Sequence, residues 1–285
     1  MGSYFSLVKP YTKGPKKRLG QHFLRDTGII DRIIRWIAPR SEDLFIEIGS
    51  GDGALSSRLA PVAAGLLAVE LDRDCIPILK NTLEPYENAT VVNEDILHLD
   101  LSRFVSDSSS PSSRLRIAGN LPYNIATAII EKIMHCSFAV HDMIFMVQTE
   151  VAQRITALPG SRQYGYLSIH CQHHCNVRMG FKISPSCFVP RPKVSSSMVS
   201  LRPKEALEDP DFESAFEDMG KAAFNHRRKT LANSLRKNPL FESVLDALLR
   251  LSGIDGSRRA EDLTVEEFEI LTRIYTNLPH TAYHK

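Results

Sequence analysis

The chain has 285 residues, enough for one large domain or two, and its 43% hydrophobic and 24% charged residues are the balance of a packed protein, not a disordered one. No apolar run is long enough to span a bilayer, and five irregularly spaced cysteines, Cys75, Cys136, Cys171, Cys175 and Cys187, argue against a disulfide framework and for a reducing, cytoplasmic compartment. Net charge is only +2, but residues 1–40 hold nine Lys or Arg against Asp26 and Asp31, so the rest of the chain is net acidic.

In chain order, residues 1–25 are expected to form a basic arm for phosphates, with Lys16, Lys17 and Arg18 its densest run. Pro10, Gly14 and Pro15 interrupt any amphipathic targeting helix there. RLGQHFL (residues 18–24) leads into a helix that Asp26 or Thr27 caps, with Ile29, Ile30, Ile33, Ile34 and Ile37 on its apolar face and Pro39 closing it. The organising stretch follows, LFIEIGSGDG (residues 44–53). Leu44, Phe45, Ile46 and Ile48 suit a strand buried on both faces, and Gly49, Gly51 and Gly53 mark a turn where the backbone approaches something closely. Ala54, Leu55 and Leu59 begin a helix, completing the opening half of a nucleotide-holding βαβ unit. Gly49, Gly51 and Ala54 also fit the dinucleotide pattern, which leaves NAD-dependent hydride chemistry open. With Glu47 ahead of the glycines, the stretch resembles the first motif of S-adenosylmethionine (SAM) methyltransferases, and acidic groups near such a turn suit a sulfonium cation better than a pyrophosphate.

GLLAVEL (residues 65–71) reads as a second parallel strand ending on Glu70, which is placed to accept both ribose hydroxyls of a bound nucleoside. TVVNEDIL (residues 90–97) offers a third, with Asp95 to accept an adenine amino group and the Ile96 amide to donate to the ring. SDSSSPSS (residues 106–113) reads as a solvent loop. RLRIAGNLPYNIAT (residues 114–127) is the second decisive stretch: a strand runs into Asn120, Leu121, Pro122 and Tyr123, and Asn124 or Thr127 opens a helix carrying Ile129, Ile130, Ile133 and Met134. Asn120 Oδ1 and the Leu121 carbonyl are suited to accept the two N–H groups of an exocyclic amine and favour its nucleophilic, pyramidal form, while Tyr123 offers a stacking face for an extruded base.

RLGQHFL, IEIGSGDG, VELD, NEDIL and NLPY, in this order and spacing, resemble the ribosomal RNA adenine N6,N6-dimethyltransferase family. The resemblance extends through FVPRPKVSSSMVSL (residues 188–201) and FNHRRKTLANSL (residues 224–235), and the last of these looks like the small-subunit branch. It implies an α/β, Rossmann-like methyltransferase sheet of seven strands flanked by helices. It implies SAM contacts at His22, Leu24, Gly49, Glu70, Asp95 and Asn120, and a target adenine enclosed by Tyr123 and Phe188. The substrate it implies is a pair of adjacent adenosines in a hairpin near the 3′ end of small-subunit rRNA, in an immature subunit, with the enzyme acting as a monomer. Two positions depart from the family pattern: His22 stands where many members have Asn, and VSSS (residues 194–197) replaces an acid. A large-subunit rRNA methyltransferase of the antibiotic-resistance type and a non-catalytic assembly or transcription factor are the rival readings.

HDMIFMVQTE (residues 141–150) reads as a buried strand, followed by a helix over residues 151–157. YLSIHCQHHCNVRM (residues 166–179) gathers His170, Cys171, His173, His174 and Cys175. Alternation in a strand sends Cys171, His173 and Cys175 to one face and His170 and His174 to the other, and with no second ligand pair elsewhere no metal is expected. After Leu201 strand signals cease. Residues 202–211 look like a linker, and helices are expected over 212–224, 229–237 and 241–251, with a last one opened by a Thr264/Glu267 capping box. The predicted organisation is a basic arm (1–25), a methyltransferase domain (26–203) and an all-helical RNA-recognition domain (204–285). Between Lys221 and Lys237 six cations and no acid, with Arg227, Arg228 and Lys229 consecutive, point to a phosphate-binding surface.

Overall fold

A computed structural model describes residues 16, 20–104, 114–134, 140–204 and 209–278. Lys17, Arg18, Cys136 and the loop expected over 106–113 lie outside them, as does part of the expected linker. The chain opens with the two-residue strand β1 (Phe23–Leu24) and helix α1 (Thr27–Ile37). Asp26 caps α1 by accepting from the Ile29 amide at 3.0 Å, and Ile30, Ile33 and Ile37 form the buried face. The helix stops at Ala38, left-handed at φ 50°, just ahead of Pro39.

Strand β2 (Asp43–Ile48) is central. It pairs in parallel with β3 (Gly65–Val69) on one side and β5 (Arg114–Asn120) on the other, so that Ile46 lies between Leu67 and Ile117. With neighbours on both edges and helices on both faces, a near-continuous apolar run is the stable solution. β4 (Ala89–Val92) flanks β3, and β6 (Asp142–Gln148) follows β5 in parallel. The connections carry α2 (Ser56–Leu59), α3 (Ile76–Leu83) and α4 (Ala126–Met134), and α5 (Thr149–Ile155) leaves β6. β9 (Ser196–Pro203) runs antiparallel to β6, and β7 (Cys175–Ile183) closes the edge, giving a seven-stranded sheet in the order β4-β3-β2-β5-β6-β9-β7. The expected α/β sheet of seven strands is therefore present, with β9 as its antiparallel member. The short strand β8 (Phe188–Val189) pairs with β1 outside that sheet.

Beneath the sheet, Arg116 is 3% exposed, and its guanidinium binds Asp43 and Asp142 at 2.7 Å and the Ile37 carbonyl at 2.7 Å. A buried charge is tolerable here because carboxylates and carbonyls satisfy the fork.

The chain forms two compact units: one takes the residues up to Ala152 and Arg178–Pro203, the other Gln153–Val177 and Lys204 onward. The helical unit therefore includes α6 (Tyr166–His174) as well as the later helices α7 (Pro210–Phe224), α8 (Leu231–Leu235), α9 (Pro239–Glu242), α10 (Leu245–Ser252) and α11 (Val265–Asn277). Tyr164, Ile169, Phe212, Phe216, Phe241 and Phe268 share its core. Two expectations need correction. Residues 166–174 are helical, not a strand, because this helix is buried nearly all round and so shows no amphipathic period. The helix expected over 241–251 is broken at Ser243 and Val244 into α9 and α10. The Thr264/Glu267 capping box opens α11 as predicted.

Candidate functional site

At the end of β2 the chain leaves through Gly49, Gly51 and Gly53, all with positive φ. At Gly49 (φ 71°) a Cβ would sit 3.2 Å from the Asn120 carbonyl oxygen, so the turn lies directly against the end of β5. Glu70, one residue past β3, ties this turn in place: one carboxylate oxygen accepts from the Gly51 amide and the other from the Asp72 amide, each at 2.7 Å. Burial raises the Glu70 pKa against those hydrogen bonds. Arg25 clamps the turn from outside through Asp52 at 2.5 Å.

Glu47 lies beneath the turn, fully buried, and accepts from the Ser56 hydroxyl. Burial pushes its carboxyl up to about 8 in spite of that bond, so at neutral pH it is mostly protonated.

Asn120 ends β5. Its Nδ2 donates to the His22 carbonyl at 3.0 Å, which leaves Oδ1 as the acceptor. The close approach of β5 to β2 depends on Gly119, where a Cβ would fall 2.3 Å from the Ile48 carbonyl oxygen. The next amide, Leu121, donates to Met146 at 3.1 Å and fixes the start of the proline turn. Tyr123 is held at its far end by a 2.5 Å hydrogen bond between its hydroxyl and Ser196 Oγ. The His22 ring lies 5.2 Å from the Tyr123 ring, and His22 Nδ1 donates to the Pro190 carbonyl at 2.8 Å, which fixes the orientation of the ring. Ser196, in the VSSS run, therefore supplies the hydroxyl that orients Tyr123.

Asp95 lies just past β4, where one oxygen accepts from the Leu97 amide at 2.9 Å and the buried Ile96 follows it. His22, Leu24, Gly49, Glu70, Asp95, Asn120, Leu121 and Tyr123 all line one cleft of about 240 Å³, room for an organic ligand and not merely a few waters. Phe188 is not among the lining residues: it is 2% exposed, pairs with Leu24 across β1 and β8, and packs in the sheet's core. The cleft fits a nucleoside carrying an amino-acid tail: Glu70 and Asp95 stand as acceptors just past two strands, apolar Ile96 and Leu97 also line it, and Gly49 and Gly51 bring bare backbone to its wall. Gly119, Arg25 with Asp52, and Ser196 are not predicted from the sequence, because they act through other residues and carry no motif of their own.

The residues expected to meet RNA are placed differently from one another. Lys16 Nζ binds Asp72 at 2.5 Å and Asp74 at 2.7 Å, and Gln21 Nε2 donates to Asp72 at 2.7 Å. Lys16 is thus neutralised by acids distant in sequence. Burial acts to raise the Asp72 pKa, and the Lys16 and Gln21 hydrogen bonds outweigh it and lower it. Arg227 donates to the Arg162 and Tyr164 carbonyls at 2.8 Å and faces Glu261 at 3.4 Å. Lys221 pairs with Glu217 at 2.8 Å and Arg236 with Asp246 at 3.7 Å. Arg228 and Lys229 are exposed in the turn after α7.

The model of the family described as Ribosomal RNA adenine dimethylase matches residues 13–277. The chain is 42% identical over 277 residues to Ribosomal RNA small subunit methyltransferase A of Chromohalobacter salexigens, covering 96% of this chain and 95% of that one. It is 40% identical to the protein of the same name from Alkaliphilus oremlandii, with 93% of each covered. Among solved structures, a dimethyladenosine transferase from Plasmodium falciparum superposes with a TM-score of 0.74 at 25% identity, covering 90% of this chain and 98% of that one. The 23S rRNA methyltransferase ErmE gives 0.66, also at 25% identity, with 89% and 99% covered.

Proposed function

We infer the function from kinship: this chain belongs to the ribosomal RNA adenine dimethylase family, and it is a SAM-dependent rRNA adenine N6,N6-dimethyltransferase of the small-subunit type. Its targets, in this reading, are two adjacent adenosines in a hairpin near the 3′ end of small-subunit rRNA, each methylated twice while the subunit is immature. Among the described residues no helix is long and apolar enough to cross a membrane. The enzyme works in the cytoplasm as a monomer.

When bound, SAM supplies an electrophilic methyl group. Glu70 would accept from the ribose hydroxyls, Asp95 and the Ile96 amide would read the adenine edge, and the turn at Gly49 would admit the amino-acid tail. On the other side, Asn120 Oδ1 and the Leu121 carbonyl accept the two N6–H groups of the target base, which draws the nitrogen lone pair out of the ring toward the methyl group. Tyr123 offers its face to the extruded base, and Phe188, which packs beneath Leu24, supports that wall from the core. The proton released from N6 leaves to solvent, so positioning carries the catalysis and no dedicated general base is needed.

The observation that carries the catalytic part of this reading is the Asn120 amide, which donates one Nδ2 hydrogen to the His22 carbonyl and keeps Oδ1 as the acceptor at the cleft. The test is methyl transfer from radiolabelled SAM to immature small subunits lacking the modification. Label in small-subunit rRNA supports the reading, and SAM binding without transfer would leave a non-catalytic assembly factor.

A further inference from the structure

We propose that the helical unit carries a zinc-type cation site built from His173, His174 and Glu213. α6 ends on His173 and His174, and both imidazoles meet Glu213 of α7 within that unit. His173 Nε2 lies 3.4 Å from one Glu213 oxygen, His174 Nε2 lies 3.6 Å from the other, and the three ligand atoms fall within 4.8 Å of one another. Those separations are long for hydrogen bonds, which centre near 2.9 Å. N and O ligands about 2.0–2.1 Å from zinc define a tetrahedral edge of about 3.4 Å, so the spacing of each imidazole from Glu213 is near that edge, and the 4.8 Å spread of the three atoms would contract on the ion.

A second, independent feature points the same way. Glu269 of α11 lies 2.7 Å from His173 Nδ1 and accepts its N–H, so zinc would displace only the Nε2 proton that faces Glu213. A carboxylate behind a ligating imidazole is the usual support of a zinc-bound histidine. The His173 ring is also stacked on Phe216 at 4.0 Å, which fixes its plane. The imidazoles are each 8% exposed and Glu213 is 19% exposed, so the cluster is sheltered but reachable by an ion. Two imidazoles and one carboxylate favour zinc over magnesium or calcium, and three protein ligands leave a fourth position for water. The site would pin α6 to α7. The sequence hid it because Glu213 lies far along the chain and because the segment read as a strand. The rival arrangement for these side chains is a protonated His173 shared between Glu213 and Glu269.

The test uses the full chain, stripped by chelation and titrated with zinc against a chromophoric chelator. One equivalent is expected to bind, with magnesium giving no effect. Glu213→Gln and His174→Gln should each abolish that equivalent, and Glu269→Gln should weaken it by about 10–100-fold. Circular dichroism and SAM affinity verify that each variant is folded. Where a variant fails to fold, X-ray absorption on the zinc-loaded wild type decides, with two imidazoles and no sulfur expected. Absence of zinc uptake by the wild type, uptake undiminished in the folded variants, or sulfur ligands would each overturn the site and leave the imidazolium pair.

Discussion

Asn120 is the side chain on which chemistry and binding separate most cleanly. Asn120→Ala should keep the fold and measurable SAM affinity yet lose about a hundredfold or more in methyl transfer, as removal of a preorganised hydrogen-bonding group does; single-turnover rates beside calorimetry check this, and near-normal transfer would remove the acceptor role. Glu47 gives a prediction in pH. Its folded-state pKa is raised to about 8, so the stability it contributes is fully present below the ordinary carboxylate range and is lost as pH rises toward 8, at about 1.4 kcal/mol per pH unit. Glu47→Gln should therefore unfold with a flatter pH dependence between pH 5 and 8 than wild type in denaturant titrations. Equal slopes would mean that Glu47 is ionised in the folded protein. That Glu70, Asp95, Asn120 and Tyr123 line one cleft was legible in the sequence because each lies at, or within about three residues of, the end of a strand that announces itself. Phe188 was assigned to the target base by resemblance alone; it lies buried against Leu24 in a strand pairing of two residues, too short to leave a pattern.

Among the elements, β2, β3 and β5 could be read directly, since parallel strands covered on both faces must be apolar along their whole length. Helix α6 could not, for the related reason that burial on all sides erases the helical period. The site depends on how closely β5 lies on β2, and Gly119 permits that approach. Gly119→Ala puts a methyl group 2.3 Å from the Ile48 carbonyl oxygen, so the strands must part. The variant should lose about 1–3 kcal/mol of stability and, where still folded, turn over poorly, because the strand ends carry both Gly49 and Asn120. Wild-type unfolding midpoint and turnover together would show that the approach is not needed.

At the scale of the whole molecule, the sequence located the composition change but not the grouping of residues. Ala157, Tyr164 and Ile169 share a core with Phe212, Phe216 and Phe268, so cutting the chain where the composition changes would strip those three of their packing partners. The cations of the helical unit also divide: Arg227 holds the Arg162 and Tyr164 carbonyls, whereas Arg228 and Lys229 are exposed. Glu217, Asp246 and Glu261, the acids that temper this surface, lie outside residues 221–237, which is why that stretch reads as purely basic. Arg228→Ala with Lys229→Ala, sparing Arg227, should leave SAM affinity intact. The log–log salt slope of binding to immature subunits should become shallower by up to about 0.7–0.9 for each phosphate no longer neutralised, and an unchanged slope across the titration would move the RNA determinants elsewhere. The most direct test of the central claim is to incubate unmethylated ribosomal subunits with the protein and SAM and to map the products by nucleoside mass spectrometry. N6,N6-dimethyladenosine at two adjacent positions near the 3′ end of the small-subunit RNA is the predicted result, and methylation confined to large-subunit RNA, or none in either, would contradict it.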